Sequence, residues 1–204
     1  MGYRWEITRE AVRQGVVGIV RTADAASAVA AARAVLDAGL KSVEVPLTNA
    51  GALVAIEELS AAYPDATIGA GTVLDESSAT AAIRAGAQFL VSPSLHTEVL
   101  RTAHRYGVAA LPGTGSVTEI VRAMEEGADA VKVFPASALG PQWIKDVRAA
   151  LPQAPLVPTG GIAPEDVPRW LDAGAVACGI GSALTRGSAE DIRARVAALV
   201  RENS

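Results

Sequence analysis

Two charged side chains interrupt otherwise apolar segments of this chain, and their types suit carbonyl chemistry. Glu44 lies within residues 42–46 (SVEVP), and Lys132 lies within residues 130–135 (AVKVFP). Both segments have the short, β-branched composition of buried strands. Because an unpaired ammonium is costly to bury, a lysine here indicates an interior cavity and an amine able to lose its charge. A Schiff-base lysine needs that state. The structural alternative is a strand end from which the lysine reaches solvent.

Glu44 gives Lys132 a chemical partner. An acid and an amine in one cavity suit Schiff-base formation, in which protons move to and from the carbinolamine. The structural alternative is a buried ion pair, but desolvation offsets the attraction in such pairs, so they contribute little to stability. The pattern therefore favours a catalytic role for both residues.

The rest of the chain alternates short apolar segments with helical patterns. Eight strand-and-helix units follow one another at a spacing of roughly 20–25 residues, without a linker. The predicted strands are 16–20, 42–46, 67–70, 88–93, 108–112, 129–134, 155–158 and 176–180. This pattern predicts an α/β fold, a (β/α)8 TIM barrel in a single compact domain over residues 1–204, with a short N-terminal helix over 8–14. A doubly wound sheet is the alternative.

The predicted helices begin and end at recognisable residues. Side chains that can cap a helix N-terminus stand at Thr8, Asp24, Asp75 and Ser116. Glu119, three residues after Ser116, predicts a capping box. Glycines that can adopt the left-handed conformation end four helices, at Gly39, Gly86, Gly127 and Gly174.

In a barrel the active site lies at the carboxyl ends of the strands, so those ends were compared. Arg21 follows the first strand and suits a bidentate contact with a carboxylate, or remains solvated. Thr72 follows the third strand and can donate a hydrogen bond to a bound keto acid, or simply leads into a helix. The fourth strand ends in Ser92 and Pro93.

Glycine-rich loops follow the last two strands. One contains Thr159, Gly160 and Gly161, and the other contains Gly181 and Ser182. Barrels commonly build a phosphate site at this position from backbone N–H groups and a helix N-terminus. Tight turns alone are the structural alternative.

Composition restricts the partners of the protein. The chain has 204 residues and a net charge of −4, which favours neither nucleic acid nor an anionic membrane as a partner. Residues 1–10 are polar and lack the apolar core of a signal peptide, and no apolar stretch reaches the length of a membrane span. A soluble, cytoplasmic protein is therefore expected. The single cysteine, Cys178, is expected to be a buried, inert thiol. His96 and His104 are expected to be solvated helix residues and not metal ligands.

Six motifs in this order resemble the small class I aldolases of 2-keto-3-deoxy-6-phospho-sugar acids. They are residues 44–47 (EVPL), 68–74 (IGAGTVL), 91–93 (VSP), 132–136 (KVFPA), 158–161 (PTGG) and 179–182 (GIGS). The resemblance extends from about residue 16 to residue 186, nearly the whole chain.

The resemblance implies a role for each of these positions. Lys132 forms the Schiff base with the C2 keto carbon, Glu44 is the general acid/base, and Thr72 contacts the pyruvate portion. The glycine loops with Ser182 hold the phosphate. Pro93 also belongs to the implied substrate site. The implied reaction cleaves a phosphorylated keto acid into pyruvate and glyceraldehyde 3-phosphate without a metal or cofactor, in a homotrimer.

Details of the resemblance divide between two substrates. Thr48 stands where gluconate-type enzymes often carry arginine, and Arg21 resembles the galactonate type, as do residues 94–99 and 137–145. Thr159 resembles the gluconate type, since galactonate-type enzymes tend to have valine there. The expected substrate is 2-dehydro-3-deoxy-6-phosphogalactonate. The alternatives are the gluconate epimer, 4-hydroxy-2-oxoglutarate, dual specificity, or a phosphate-binding barrel without Schiff-base chemistry.

Overall fold

The structure is a computed structural model that describes residues 3–48 and 50–202, with the backbone alone at 201 and 202. Its strands are β1 (Val16–Ile19), β2 (Ser42–Pro46), β3 (Thr67–Gly71), β4 (Phe89–Val91), β5 (Ala109–Leu111), β6 (Gly113–Thr114), β7 (Val131–Val133), β8 (Leu156–Pro158) and β9 (Cys178–Ile180). Its helices are α1 (Arg4–Val12), α2 (Ala25–Asp37), α3 (Ala52–Ala62), α4 (Glu76–Arg84), α5 (Thr97–Arg105), α6 (Val117–Glu125), α7 (Gly140–Ala150), α8 (Val167–Asp172), α9 (Ser182–Thr185) and α10 (Ala189–Glu202). Short 3-10 turns, Ala136–Ala138 and Pro164–Asp166, precede α7 and α8.

The strands pair in parallel, as the alternating pattern predicts for an α/β fold. One sheet has the order β5-β4-β3-β2-β1-β9, and the other has the order β6-β7-β8. The amide of Lys132 donates to the carbonyl of Pro112 (3.0 Å) and links the two sheets on one side. On the other side, a parallel bridge pairs Thr159 with Gly179. Parallel pairing brings the carboxyl ends of the strands to a common edge, where parallel α/β sheets bind their ligands.

The fifth predicted strand, 108–112, corresponds to β5, and a further short strand, β6, follows it in the structure. Pro112 lies between β5 and β6, because proline has no N–H to donate to a ladder. β5 therefore pairs with β4, and β6 pairs with β7. The strand predicted over 108–112 is thus confirmed as β5, whereas the sequence pattern did not predict β6.

Alternate strand residues pack on two different sides. Phe89 is fully buried in a cluster that includes Ile7 and Ala11 of α1, and its ring lies where a β-carbon on Gly69 would be. This cluster joins α1 to the interior side of the strands. The opposite side of the strands packs in a larger cluster with the Ala-rich helices. Successive strand side chains point to opposite faces, so the interior face is free to carry Glu44 and Lys132.

The helix ends follow the sequence prediction in most places. Asp24, Asp75 and Ser116 each accept a hydrogen bond from a backbone N–H in the first turn of the next helix. The Glu119 carboxylate accepts from the amide of Gly115 (2.7 Å), one residue before the expected cap. The four predicted terminating glycines have φ between +90° and +107°.

The predicted start of the first helix is wrong. α1 begins at Arg4, and Tyr3 and Glu6 form its reciprocal capping contact. Thr8 lies inside the helix, and its hydroxyl donates to the carbonyl of Arg4 (2.9 Å), so it does not cap. The sequence pattern also did not predict α9, a single helical turn after β9. In the described part of the chain, no helix is both long and apolar enough to cross a membrane.

Candidate active site

Glu44 and Lys132 lie inside the arrangement of strands. Glu44 is 4% exposed on β2, and Lys132 is 7% exposed on β7. Their strand neighbours Val43, Val45 and Val133 pack in the cluster that faces the helices. The alternation of strand side chains therefore directs the carboxylate and the amine to the interior side. The strand-end alternative for Lys132, with its side chain in solvent, is wrong.

Opposing effects act on the Glu44 carboxyl. Burial raises its pKa above the ordinary value of 4.5, and the positive charges of Lys132 and Arg21 lower it by a smaller amount. These three groups are therefore near enough to interact electrostatically. Among the ion pairs of the described residues, which extend to 4.0 Å, none joins Glu44 to Lys132. The structural alternative, a direct ion pair between Glu44 and Lys132, is therefore not what keeps these two side chains buried.

The end of β3 is shaped around the acid. The Glu44 carboxylate fills the space that a β-carbon on Gly71 would need, so glycine is required at that position. Thr72 follows with φ of +57°, the left-handed region that β-branched residues rarely adopt. Thr72 is half-buried at this edge, beside the carboxylate that Gly71 accommodates.

Phe134 is a site residue that sequence reasoning missed. Lys132 Nζ lies 5.0 Å from the centroid of its ring, within the range of a cation–π contact. Phe134 is 41% exposed, although it follows directly on β7. The available signal was an aromatic residue two positions after Lys132, on the same side of an extended strand. The amine of Lys132 therefore has the ring of Phe134 on one side.

The loop after β8 packs closely against Phe134 and the 3-10 turn. A β-carbon on Gly160 (φ +98°) would lie 3.1 Å from the Phe134 ring, and one on Gly161 (φ +75°) would lie 2.6 Å from the Ser137 β-carbon. The amide of Ser137 donates to the carbonyl of Gly160 (3.0 Å). Glycine at both positions therefore allows a left-handed turn with a close backbone approach.

The remaining predicted residues lie at the same edge. Thr159 is buried, its hydroxyl donates to the carbonyl of Val157 (3.2 Å), and its side chain occupies the space left by Gly179. Gly181 is the N-cap of α9 and Ser182 is its first residue, and the N-terminus of a helix favours an anion.

Arg21 and Pro93 complete the predicted set. Arg21 is exposed two residues after the end of β1, and Pro93 is half-buried two residues after the end of β4. The backbone of Pro93 lies against Gly113, where a β-carbon would collide with it. The structure thus brings the predicted residues to one edge of the sheets.

The histidines and the cysteine lie outside this group. Burial raises the pKa of the Cys178 thiol to about 12, which makes it inert, as expected. His96 contacts Ser94 (3.0 Å) and Glu98 (3.6 Å) near the surface. His104 is not simply solvated, because its Nε2 is buried without a hydrogen-bond partner. Within the described residues, no three His, Cys, Asp or Glu side chains are grouped as metal ligands.

A buried amine and a buried carboxyl at the carboxyl edge of parallel strands define a class of α/β enzyme acting on carbonyl compounds. A family model described as "KDPG and KHG aldolase" matches residues 7–199. The chain belongs to this aldolase family, and it is therefore a carbon–carbon lyase.

Named relatives and solved structures agree with the family model. The chain is 42% identical to the 2-dehydro-3-deoxy-6-phosphogalactonate aldolase of Escherichia coli K12, over 91% of this chain and 93% of the relative. A solved structure of native KDPGal matches with a TM-score of 0.85 and 40% identity, covering 91% of this chain and 92% of that one. The KDPG aldolase of Legionella pneumophila matches with a TM-score of 0.84 and 26% identity, over 100% and 98% of the two chains. That structure contains pyruvate captured at low pH as a covalent carbinolamine intermediate.

Proposed function

We propose that this protein is a class I aldolase that cleaves 2-dehydro-3-deoxy-6-phosphogalactonate to pyruvate and D-glyceraldehyde 3-phosphate. The observation that carries the proposal is the buried amine of Lys132, electrostatically coupled to the buried carboxyl of Glu44. The 42% identity to a galactonate-type aldolase supports the choice of substrate. The covalent pyruvate adduct of the Legionella relative supports the choice of chemistry.

The reaction proceeds through an imine on Lys132. The amine attacks the C2 keto carbon, and the carbinolamine loses water to give a protonated imine. Removal of the C4 hydroxyl proton then breaks the C3–C4 bond, releases the aldehyde and moves the bonding electron pair into an enamine. Protonation of the enamine and hydrolysis release pyruvate and return the free amine. Glu44 moves protons in these steps, and its raised pKa brings it nearer to neutral pH, where a carboxyl acts best as both acid and base.

The other predicted residues hold the two ends of the substrate. The Arg21 guanidinium pairs with the substrate carboxylate, and Thr72 and Pro93 contact the pyruvate portion. The left-handed turn at Gly160 and Gly161 provides backbone N–H groups for the phosphate. The first turn of α9, with Gly181 and Ser182, provides further N–H groups and a hydroxyl.

The same proposal includes the higher-order fold and the assembly. The two sheets form one closed (β/α)8 barrel, in which β5 and β6 count as one strand, and residues 1–204 form a single domain. The Lys132–Pro112 hydrogen bond and the Thr159–Gly179 bridge at the two junctions support this closure. The homotrimer and the cytoplasmic location stay predictions.

Trapping the imine tests the Schiff-base chemistry. Borohydride reduces an imine with pyruvate to a stable secondary amine, which mass spectrometry of peptides can locate. We expect the adduct on Lys132 and on neither Lys41 nor Lys145. Lys132→Ala should abolish turnover with the fold retained, whereas Lys145→Ala, an exposed position, should keep activity. Absence of the adduct on Lys132 would contradict the proposal and favour a phosphate-binding barrel.

Substrate specificity needs a separate measurement. The values of kcat/KM for the galactonate and gluconate substrates, with 4-hydroxy-2-oxoglutarate as a third, compare the alternatives directly. Thr159 is the residue that favours the gluconate epimer, because its hydroxyl lies at the edge of β8 where galactonate-type enzymes tend to carry valine. A higher kcat/KM for the gluconate substrate would replace the galactonate assignment and leave the chemistry unchanged.

A further inference from the structure

We propose that Ser92 is a positioning residue for this site, and that it holds Thr72 in its left-handed conformation through the backbone of Val73. The inference rests on the proposed function, because it assigns to Thr72 a contact with the pyruvate portion of the substrate. Ser92 itself is 2% exposed, so its side chain is not open to a ligand. Its role is therefore to place another side chain.

Thr72 has an unusual backbone. Among the described residues other than glycine, it alone has a positive φ, at +57°. A β-branched residue is disfavoured there, so the conformation persists only where the surrounding structure imposes it. Strained residues of this kind are concentrated at functional sites, which makes the contacts that impose the strain functionally relevant.

Hydrogen bonds fix the backbone on both sides of Thr72. The carbonyl of Gly71 accepts from the amide of Leu47 (2.8 Å), and the amide of Val73 donates to the carbonyl of Val91 (3.1 Å). The Ser92 hydroxyl donates to the carbonyl of Val73 at 2.6 Å, a short bond inside the protein. Val73 is fully buried, so this carbonyl depends on protein groups for its hydrogen bonds.

Of these three hydrogen bonds, the one from Ser92 is made by a side chain. The other two bonds join backbone groups and survive any ordinary substitution. Removal of the hydroxyl leaves the Val73 carbonyl without its short partner and lets the Thr72–Val73 backbone relax from the strained conformation. The Thr72 side chain would then move relative to Glu44 and Lys132.

Ser42 provides a matched control. It is also a serine that is 2% exposed, but it lies at the start of β2, and its hydroxyl has no hydrogen-bond partner. Ser92→Ala and Ser42→Ala therefore remove the same atom from equally buried positions. Only the first substitution removes a bond next to Thr72.

Steady-state kinetics and a double-mutant cycle test the inference. We expect kcat/KM for aldol cleavage to fall about 10- to 100-fold in Ser92→Ala, since displaced substrate-positioning groups cost this much. Ser42→Ala should stay near the wild-type value. In a Thr72→Gly background, where glycine adopts positive φ without strain and no threonine remains to be placed, adding Ser92→Ala should cost little more. Ser92→Cys keeps a side chain of similar size and a weak donor, so its kcat/KM should lie between those of the wild type and Ser92→Ala. This variant provides the comparison with the wild type if Ser92→Ala folds poorly.

The possible outcomes separate the two proposals. An active wild type in which Ser92→Ala behaves like Ser42→Ala overturns the positioning role and leaves the aldolase assignment intact. An equal loss from Ser92→Ala with Thr72 present or replaced by glycine also overturns it, because the role would then be structural. A wild type without cleavage or pyruvate adduct overturns the proposed function and this inference together.

Discussion

The carboxylate of Glu44 on β2 occupies the space into which a β-carbon on Gly71 of β3 would project. The parallel register brings the two strands together here, with Glu44 opposite Gly69 and Pro46 opposite Gly71. A buried carboxylate next to a neighbouring strand needs a gap in the row of side chains, and Gly71 provides it. The position of the proposed general acid/base therefore depends on residues of two strands, Glu44 on β2 and Gly71 on β3.

The first prediction concerns Gly71→Ala. The added methyl group displaces the Glu44 carboxylate, so kcat should fall by at least about tenfold, because misplaced catalytic groups lose their alignment. Overpacking should lower the free energy of unfolding by about 1–3 kcal/mol. Steady-state kinetics and urea unfolding measure the two effects. Gly18→Ala is the control: a β-carbon there meets only side-chain atoms at 3.1–3.4 Å, so activity should be kept. Unchanged kcat in Gly71→Ala would show that the carboxylate position is not critical.

The second prediction separates activity from stability at Glu44. Glu44→Gln should lower kcat about 10²- to 10⁴-fold, as general acid–base catalysis typically contributes. Because burial raises the pKa of Glu44 above 4.5, the ionised carboxylate lowers folded-state stability at neutral pH. The neutral amide removes that cost, so the free energy of unfolding at neutral pH should not decrease.

Kinetics and chemical denaturation of the same preparation check both parts of this prediction. Glu57→Gln, an exposed position on α3, should alter neither quantity. A destabilised variant that keeps wild-type kcat would assign Glu44 a structural role instead.

The third prediction uses the charge of Arg21. This charge lowers the pKa of Glu44, so in Arg21→Gln that pKa should rise further and the acid limb of the kcat/KM profile should move to higher pH. KM should also increase, because the proposed carboxylate contact is lost. Arg33→Gln, which removes an exposed arginine paired with Glu58, should leave the profile in place. An acid limb at the wild-type pH in Arg21→Gln would show that Glu44 does not produce it.

The buried charged residues Glu44 and Lys132 were predictable because a charge in a buried segment is a local anomaly in the sequence. Glu44 and Lys132 stand out in apolar segments that must be strands, and no contact from elsewhere is needed to recognise them. The order of the elements followed for the same reason, since hydrophobic runs and helix caps are properties of neighbouring residues. Asp24 and Asp75 are such caps, and both accept the expected bond.

Features that depend on distant residues were not predictable. The ring of Phe134 lies over the Lys132 amine because Gly160, on another loop, leaves room for it. The positive φ of Thr72 depends on a hydroxyl twenty residues later, at Ser92. The short strand β6 forms because residues after Pro112 pair with β7, whereas β5 pairs with β4, and composition alone does not reveal this change of partner.

A second group of charged residues lies apart from the site, around Asp129. Its carboxylate accepts from the amide of Ala110 (2.9 Å) and contacts Arg4 (3.5 Å) and His104 (4.0 Å). Burial raises the pKa of Asp129. Burial also lowers the pKa of His104 below 6.5, with a further decrease from the charge of Arg4, and Asp129 opposes this only in part. The folded protein therefore favours a neutral His104.

The fourth prediction is a pH-dependent stability that His104 causes. A depressed histidine pKa gives stability that is fully present above 6.5 and is lost as pH falls through the folded-state pKa, since the unfolded chain then binds more protons. The free energy of unfolding should accordingly decrease below pH 6.5 in the wild type and decrease less in His104→Gln. The raised pKa of Asp129 has the opposite effect, because it lowers the free energy of unfolding as pH increases above 3.8. Asp129 is present in both the wild type and His104→Gln. Urea unfolding between about pH 5 and pH 8 measures the difference.

His96→Gln is the control for this measurement, because it replaces the other histidine of the chain. Its carboxylate neighbour, Glu98, is itself exposed, with 50% of the side chain accessible. The decrease in stability below pH 6.5 should therefore persist in His96→Gln. Equal pH dependence in the wild type and His104→Gln would exclude His104 as its source. The comparison is independent of the aldolase reaction, because it measures only unfolding.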